Sequence, residues 1–118
     1  MIAVIVIQTT RMEECMKFYS LLGCEFKKEK HGKDGIDHYA SIDPKTKVVF
    51  EIYPTKNEKA VSKIVLGFDV KANVLNVIPE MNIIQNWSTH QIAIVKDPDE
   101  RRIMLYKQSD ILIDSDSD

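Results

Sequence analysis

The chain has 118 residues, with 16 basic and 18 acidic side chains and a formal net charge of −2. That length suits one domain able to bury a core without staples. The near balance of charge offers no electrostatic footprint for nucleic acid or an anionic membrane as partner. Cys15 and Cys24 lack the C-x-x-C spacing of a zinc knuckle or redox pair. The apolar run Ile2 to Ile7 is too short to span a bilayer and has no basic flank or cleavage site. The expectation is a cytoplasmic protein with reduced thiols.

Residues Ile2 to Gln8 are almost all β-branched, which predicts a buried central strand. A helix follows. Thr10 and Glu13 have the spacing of a capping box, and Met12, Cys15, Met16, Tyr19 and Leu22 recur at helical intervals. Gly23 ends the helix, since glycine enters the left-handed conformation without steric cost. Three strands are predicted next, over Cys24 to Lys30, Ile36 to Ile42 and Lys47 to Tyr53. The turn-forming stretches His31-Gly32-Lys33-Asp34-Gly35 and Asp43-Pro44-Lys45-Thr46 separate them.

The second half repeats the pattern. A strand over Ile64 to Val70 leads to a short helix over Ala72 to Ile78, stopped by Pro79. Strands over Met81 to Gln85, His90 to Val95 and Arg102 to Tyr106 complete it, the last two joined by the turn Asp97-Pro98-Asp99-Glu100. The Asp/Ser tail, residues 109–118, reads as a disordered acidic terminus. The predicted class is α+β, built as two βαβββ modules over roughly 1–54 and 61–108 of a single domain, 1–108.

The closing strands of the two halves, Phe50-Glu51-Ile52-Tyr53 and Ile103-Met104-Leu105-Tyr106, are alike. Alternation then puts Glu51 and Tyr53, and Met104 and Tyr106, on one kind of sheet face, and Ile5 and Ile7 under the helix.

The βαβββ repeat, the helix end Phe18-Tyr19-Ser20-Leu21-Leu22-Gly23, the strand Val49-Phe50-Glu51-Ile52-Tyr53-Pro54, and the turn Lys96-Asp97-Pro98-Asp99 before Arg102-Ile103-Met104-Leu105-Tyr106 together resemble the vicinal oxygen chelate superfamily. That family includes glyoxalases, bleomycin and fosfomycin resistance proteins and extradiol dioxygenases. The resemblance implies curled, cup-like mixed sheets with helices on the convex face, and a homodimer. It also implies metal-ligand positions at Val4, Glu51, Val65 and Met104. Only Glu51 among these donates to a hard or borderline divalent ion, so no metal and no other cofactor is expected there.

The resulting expectation is a glyoxalase- or bleomycin-resistance-like protein that binds a small organic molecule in an apolar cup without the family metal. Glu51 is the candidate catalytic group, as general base or hydrogen-bond donor. Gln8, His38, Glu51, Tyr53, Trp87, Met104 and Tyr106 are the candidate ligand-binding residues. Whether the protein is an enzyme stays open. The alternative is a metal-dependent lyase or dioxygenase with non-standard ligands, for which His38, Glu51 and His90 are the donors at hand. Glu51 has a blander use as well, pairing with a cation such as Arg102.

Overall fold

The computed structural model describes residues 1–108, so the acidic tail expected over 109–118 lies outside the described residues. Two four-stranded mixed sheets form the molecule. The first contains β1 (Val4–Thr9), β2 (Lys27–Glu29), β3 (His38–Ile42) and β4 (Val49–Pro54) in the order β1-β4-β3-β2, with helix α1 (Met12–Leu21) between β1 and β2. The second contains β5 (Leu66–Val70), β6 (Ile83–Gln85), β7 (Ile92–Lys96) and β8 (Arg102–Lys107) in the matching order β5-β8-β7-β6. Each opening strand runs parallel to its closing strand, with Val6 opposite Glu51 in one sheet and Gly67 opposite Met104 in the other. The remaining pairings are antiparallel.

Period-two alternation decides what each sheet buries. Ile7, Phe50 and Ile52 of the first sheet and Leu66, Val70, Ala93, Val95, Ile103 and Leu105 of the second are buried in one continuous core. Helix α1 adds Cys15, Phe18 and Tyr19 to it. The Tyr19 ring packs edge-on against Phe50 at 5.0 Å and also meets Phe68 of the second sheet at 5.7 Å, so one aromatic side chain bridges both modules. Ile5 and Ile7 pack on the helix side as expected, and Val4, Val6 and Gln8 lie exposed on the opposite face with Glu51.

Several local expectations are corrected. The strand at the N-terminus lies at an edge of its sheet, not at its centre, because the parallel crossover through α1 pairs it with β4 alone. Strand β5 is likewise an edge strand, paired with β8 alone, and starts at Leu66, which leaves Val65 outside it. The free edge of β1 is partly covered: Ser62 Oγ accepts from the Gln8 amide, and the Ser62 amide and the Arg101 guanidinium donate to the Gln8 carbonyl.

The predicted capping box does not form. Arg11 is the cap residue of α1, its amide donates to Thr9 Oγ1, and the Thr10 hydroxyl donates to Glu58 instead. The second predicted helix is reduced to a 3-10 turn over Ala72–Asn76. Two asparagines and two valines in a segment that Pro79 ends so soon cannot repay helix nucleation. Gly23 has φ +107°, the left-handed stop anticipated for α1.

The His38 cluster on the first sheet

Strand β3 pairs antiparallel with β2 so that His38 stands opposite Glu29, and with β4 so that Ala40 stands opposite Glu51. His38 and Ala40 share a face, so His38 projects onto the same face as Glu51 and Tyr53. There its ring stacks on Tyr53, with centroids 4.1 Å apart and planes 8° from parallel. The His38 side chain is 1% exposed. Its Nδ1 lies 2.9 Å from the Ile36 carbonyl, which can only accept, so Nδ1 carries the proton. That bond turns Nε2 towards two carboxylates. Glu51 Oε2 is 3.1 Å from Nε2 and Glu29 Oε1 is 3.5 Å away, yet Nε2 has no hydrogen-bond partner. His31, in the loop after β2, brings its Nε2 to 3.8 Å from the same Glu29 oxygen.

The expected ligand-binding residues fall into two sets. Glu51, Tyr53 and His38 gather on the first sheet, while Met104 and Tyr106 stand together on the second, with the Tyr106 hydroxyl 3.9 Å from the Met104 sulfur. Among the described residues no hydrogen bond or ring contact joins one set to the other. Gln8 lies exposed at the edge of β1, its backbone engaged by Ser62 and Arg101. Trp87 packs against the core, donates its indole N–H to the Ala72 carbonyl at 3.3 Å, and carries the Lys107 ammonium over its ring. His90 is exposed in the turn before β7, away from the His38 group. The group facing Glu51 is the His38 imidazole, and Arg102 is exposed.

The residues across from the closing strands test the family metal position directly. Val6 faces Glu51 and Gly67 faces Met104, and neither offers a donor atom. With Val4 and Val65 equally inert, Glu51 has no co-ligand at that position, and the residues present do not fit the family metal.

A second polar group was not legible as a unit. Arg101 Nη1 donates to Asp97 at 2.7 Å and to Asp99 at 2.8 Å, its Nε to the Ser62 carbonyl and its Nη2 to the Gln8 carbonyl. The Tyr19 hydroxyl donates to Asp97, and the Thr9 hydroxyl to Asp99. Burial followed by the neighbouring Asp97 carboxylate drives the Tyr19 phenol far above its ordinary value. For Arg101 burial works the other way, and the Asp97 bond and charge outweigh it, so the guanidinium stays firmly charged. A cleft of about 550 Å³ opens beside this network and is lined by Val61, Ile64, Val65 and Arg102 among others. Its buried charges already satisfy one another, so it presents a closed structural clamp, whereas the His38 group holds an unpaired atom.

No protein-family model and no curated protein matches the chain. Solved structures do match. Leishmania major glyoxalase I, described as trypanothione-dependent, is 14% identical with a TM-score of 0.66, over 99% of this chain and 93% of that one. A Bacillus subtilis protein of unknown function, described as a putative glyoxalase/fosfomycin resistance protein, is 18% identical with a TM-score of 0.64, over 92% and 90%. An antibiotic binding protein from Streptomyces is 13% identical with a TM-score of 0.62, over 92% and 96%. These likenesses, with the paired sheet orders, establish the architecture: the chain has the two-module fold of the glyoxalase-like, vicinal oxygen chelate proteins.

Proposed function

We propose that the protein binds a small organic molecule against the Glu51 face of the first sheet and the Met104 face of the second, without a metal at the family position. The observation that carries this reading is the apolar character of those faces. Val4 is 50% exposed and Val6 45%, on a strand whose other face is sealed in the core, and Tyr106 is 40% exposed beside Met104. Tyr53 and Glu51 add an aromatic plane and a carboxylate to the same lining. Apolar walls with a few fixed polar groups are the usual makeup of a small-molecule site. The likeness to an antibiotic binding protein agrees with binding as opposed to turnover.

Each chain leaves both faces open, so the site is completed in a homodimer that sets the first sheet of one copy against the second sheet of its partner. Native mass spectrometry of the purified protein tests the reading. A particle of twice the 13.6 kDa chain mass that retains an organic molecule, lost on Tyr53→Ala or Tyr106→Ala, is the expected result. An empty monomer that takes up no compound from a diverse small-molecule panel overturns it. The alternative, a metal-dependent lyase or dioxygenase, draws its support from the His38 group alone.

A further inference from the structure

We propose that Glu29, His31, His38 and Glu51 form a site for one divalent transition-metal ion of the zinc class, which shares Glu51 with the family metal position and none of its other ligand positions. The four residues bring one donor atom each to within 4.8 Å of one another. A tetrahedral ion with bonds of about 2.0–2.2 Å holds its donors about 3.3–3.6 Å apart. Three of the six donor separations are 3.1, 3.5 and 3.8 Å and none exceeds 4.8 Å, so movements of about 1 Å by the more exposed Glu29 and His31 side chains close the shell.

The decisive atom is His38 Nε2. It is buried, lacks a hydrogen-bond partner, and carries the lone pair because Nδ1 is committed to the Ile36 carbonyl. A backbone carbonyl on the far nitrogen is the usual support of a metal-bound imidazole, fixing its tautomer and orientation. The parallel Tyr53 ring blocks rotation from the other side. Without a cation, this lone pair faces the oxygens of two carboxylates, an arrangement in which every group accepts and none donates. A proton on His38 relieves its own two contacts and leaves His31 unaccounted for. A divalent ion uses all four donors and balances the charge of the two carboxylates. Two imidazoles with two carboxylates favour zinc, nickel, iron or manganese over magnesium or calcium, which prefer oxygen throughout.

All four donors belong to the first module, so the site needs neither a second copy nor the proposed organic ligand. Glu29 and His31, on the short edge strand and its loop, have side chains 40% and 73% exposed, against 1% for His38 and 17% for Glu51. His38 and Glu51 are therefore the anchoring pair, and the ion pins the loop carrying His31 to the sheet.

Zinc alone is the probe. The full chain, with any histidine tag removed, is stripped with a chelator and titrated calorimetrically with zinc. One equivalent should bind, and zinc at 100-fold over its dissociation constant should raise the melting temperature by at least about 5 °C. Cobalt in place of zinc should give the intense visible absorption of a tetrahedral centre. His38→Ala should abolish both. His31→Ala and Glu29→Gln alter exposed side chains and so keep the fold, and each should weaken zinc by about tenfold or more. His90→Ala should bind as the parent does. Failure to bind one equivalent overturns the proposal, as does unchanged affinity in both His31→Ala and Glu29→Gln, or a loss in His90→Ala equal to theirs.

Discussion

Arg101 of the β7–β8 turn donates to the Gln8 carbonyl of β1 at 2.9 Å, tying the last hairpin of the second module to the first strand of the other. The same guanidinium is 5% exposed and pairs with Asp97 and Asp99. The modules are thus joined by an ionic clamp as well as by the Tyr19 ring.

Breaking that clamp on one side should be costly. Arg101→Met strands two buried carboxylates without a counter-charge, and the expected loss is about 3–5 kcal/mol of unfolding free energy. Tyr19→Phe removes one hydrogen bond from Asp97, which retains Arg101, so the expected loss is about 1–2 kcal/mol. Urea denaturation checks the order, and a Tyr19→Phe loss as large as that of Arg101→Met would contradict it.

Why the sequence disclosed one half of this picture and not the other follows from the range of the forces involved. Alternation along Phe50 to Tyr53 and Ile103 to Tyr106, and the glycine stop at Gly23, are local signals, and the sheets obey them. Thr10 and Glu13 also looked local, but tertiary partners took them: Thr10 bonds Glu58, and Glu13 accepts from Tyr39. The second helix failed because its propensity was weak. His31 read as an ordinary loop residue because its partner His38 comes near only through the β2–β3 pairing. Placing Glu29 opposite His38 requires that register, which a loop of several residues does not fix. Asp97 and Asp99 were visible as turn residues and Arg101 gave no signal of its own; their role in joining modules depends on Gln8 and Ser62, far away in sequence.

The two thiols should be inert and, together with the Tyr19 phenol, should make the fold weaken in alkali. Burial first, opposed by the Thr9 hydroxyl and reinforced by Asp99, pushes Cys15 up to about 12 from 9.0. Burial and then Asp43 push Cys24 up to about 11. Both groups hold their protons more tightly in the folded chain than in the unfolded one. Their stabilisation is complete below pH 9 and is lost as pH rises from about 9 to 12. Unfolding in urea at pH 8, 10 and 11 should show that decline, and Cys15→Ala should flatten it. At pH 8 a thiol reagent should label the native protein far more slowly than the unfolded chain; equal rates would refute the assignment.

Gly23 supplies a cleaner backbone test. It sits at φ +107° with nothing within 4 Å of an added Cβ, so Gly23→Ala introduces conformational strain without a clash. The expected cost is about 1 kcal/mol or slightly more, read from the urea midpoint at unchanged slope. No measurable loss would mean that the helix end relaxes to another stop.

The open face of β1 allows the proposed dimer to be separated from the fold. Val6 lies opposite Glu51 and is 45% exposed, whereas its neighbours Ile5 and Ile7 turn into the core. A lysine at position 6 therefore meets water in the single chain, and Val6→Lys should change monomer stability by no more than about 0.5 kcal/mol. In a dimer that sets this face against a partner sheet, the longer side chain and its ammonium must be desolvated with only the neighbouring Glu51 to pair with, and association fails. Light scattering should give twice 13.6 kDa for the parent and 13.6 kDa for Val6→Lys, with ligand retention lost in parallel. Ile7→Ala, by contrast, should destabilise the fold by about 2–5 kcal/mol, because it empties a fully buried position. A Val6→Lys protein that remains dimeric would place the contact surface elsewhere on the molecule and remove the second copy from the site.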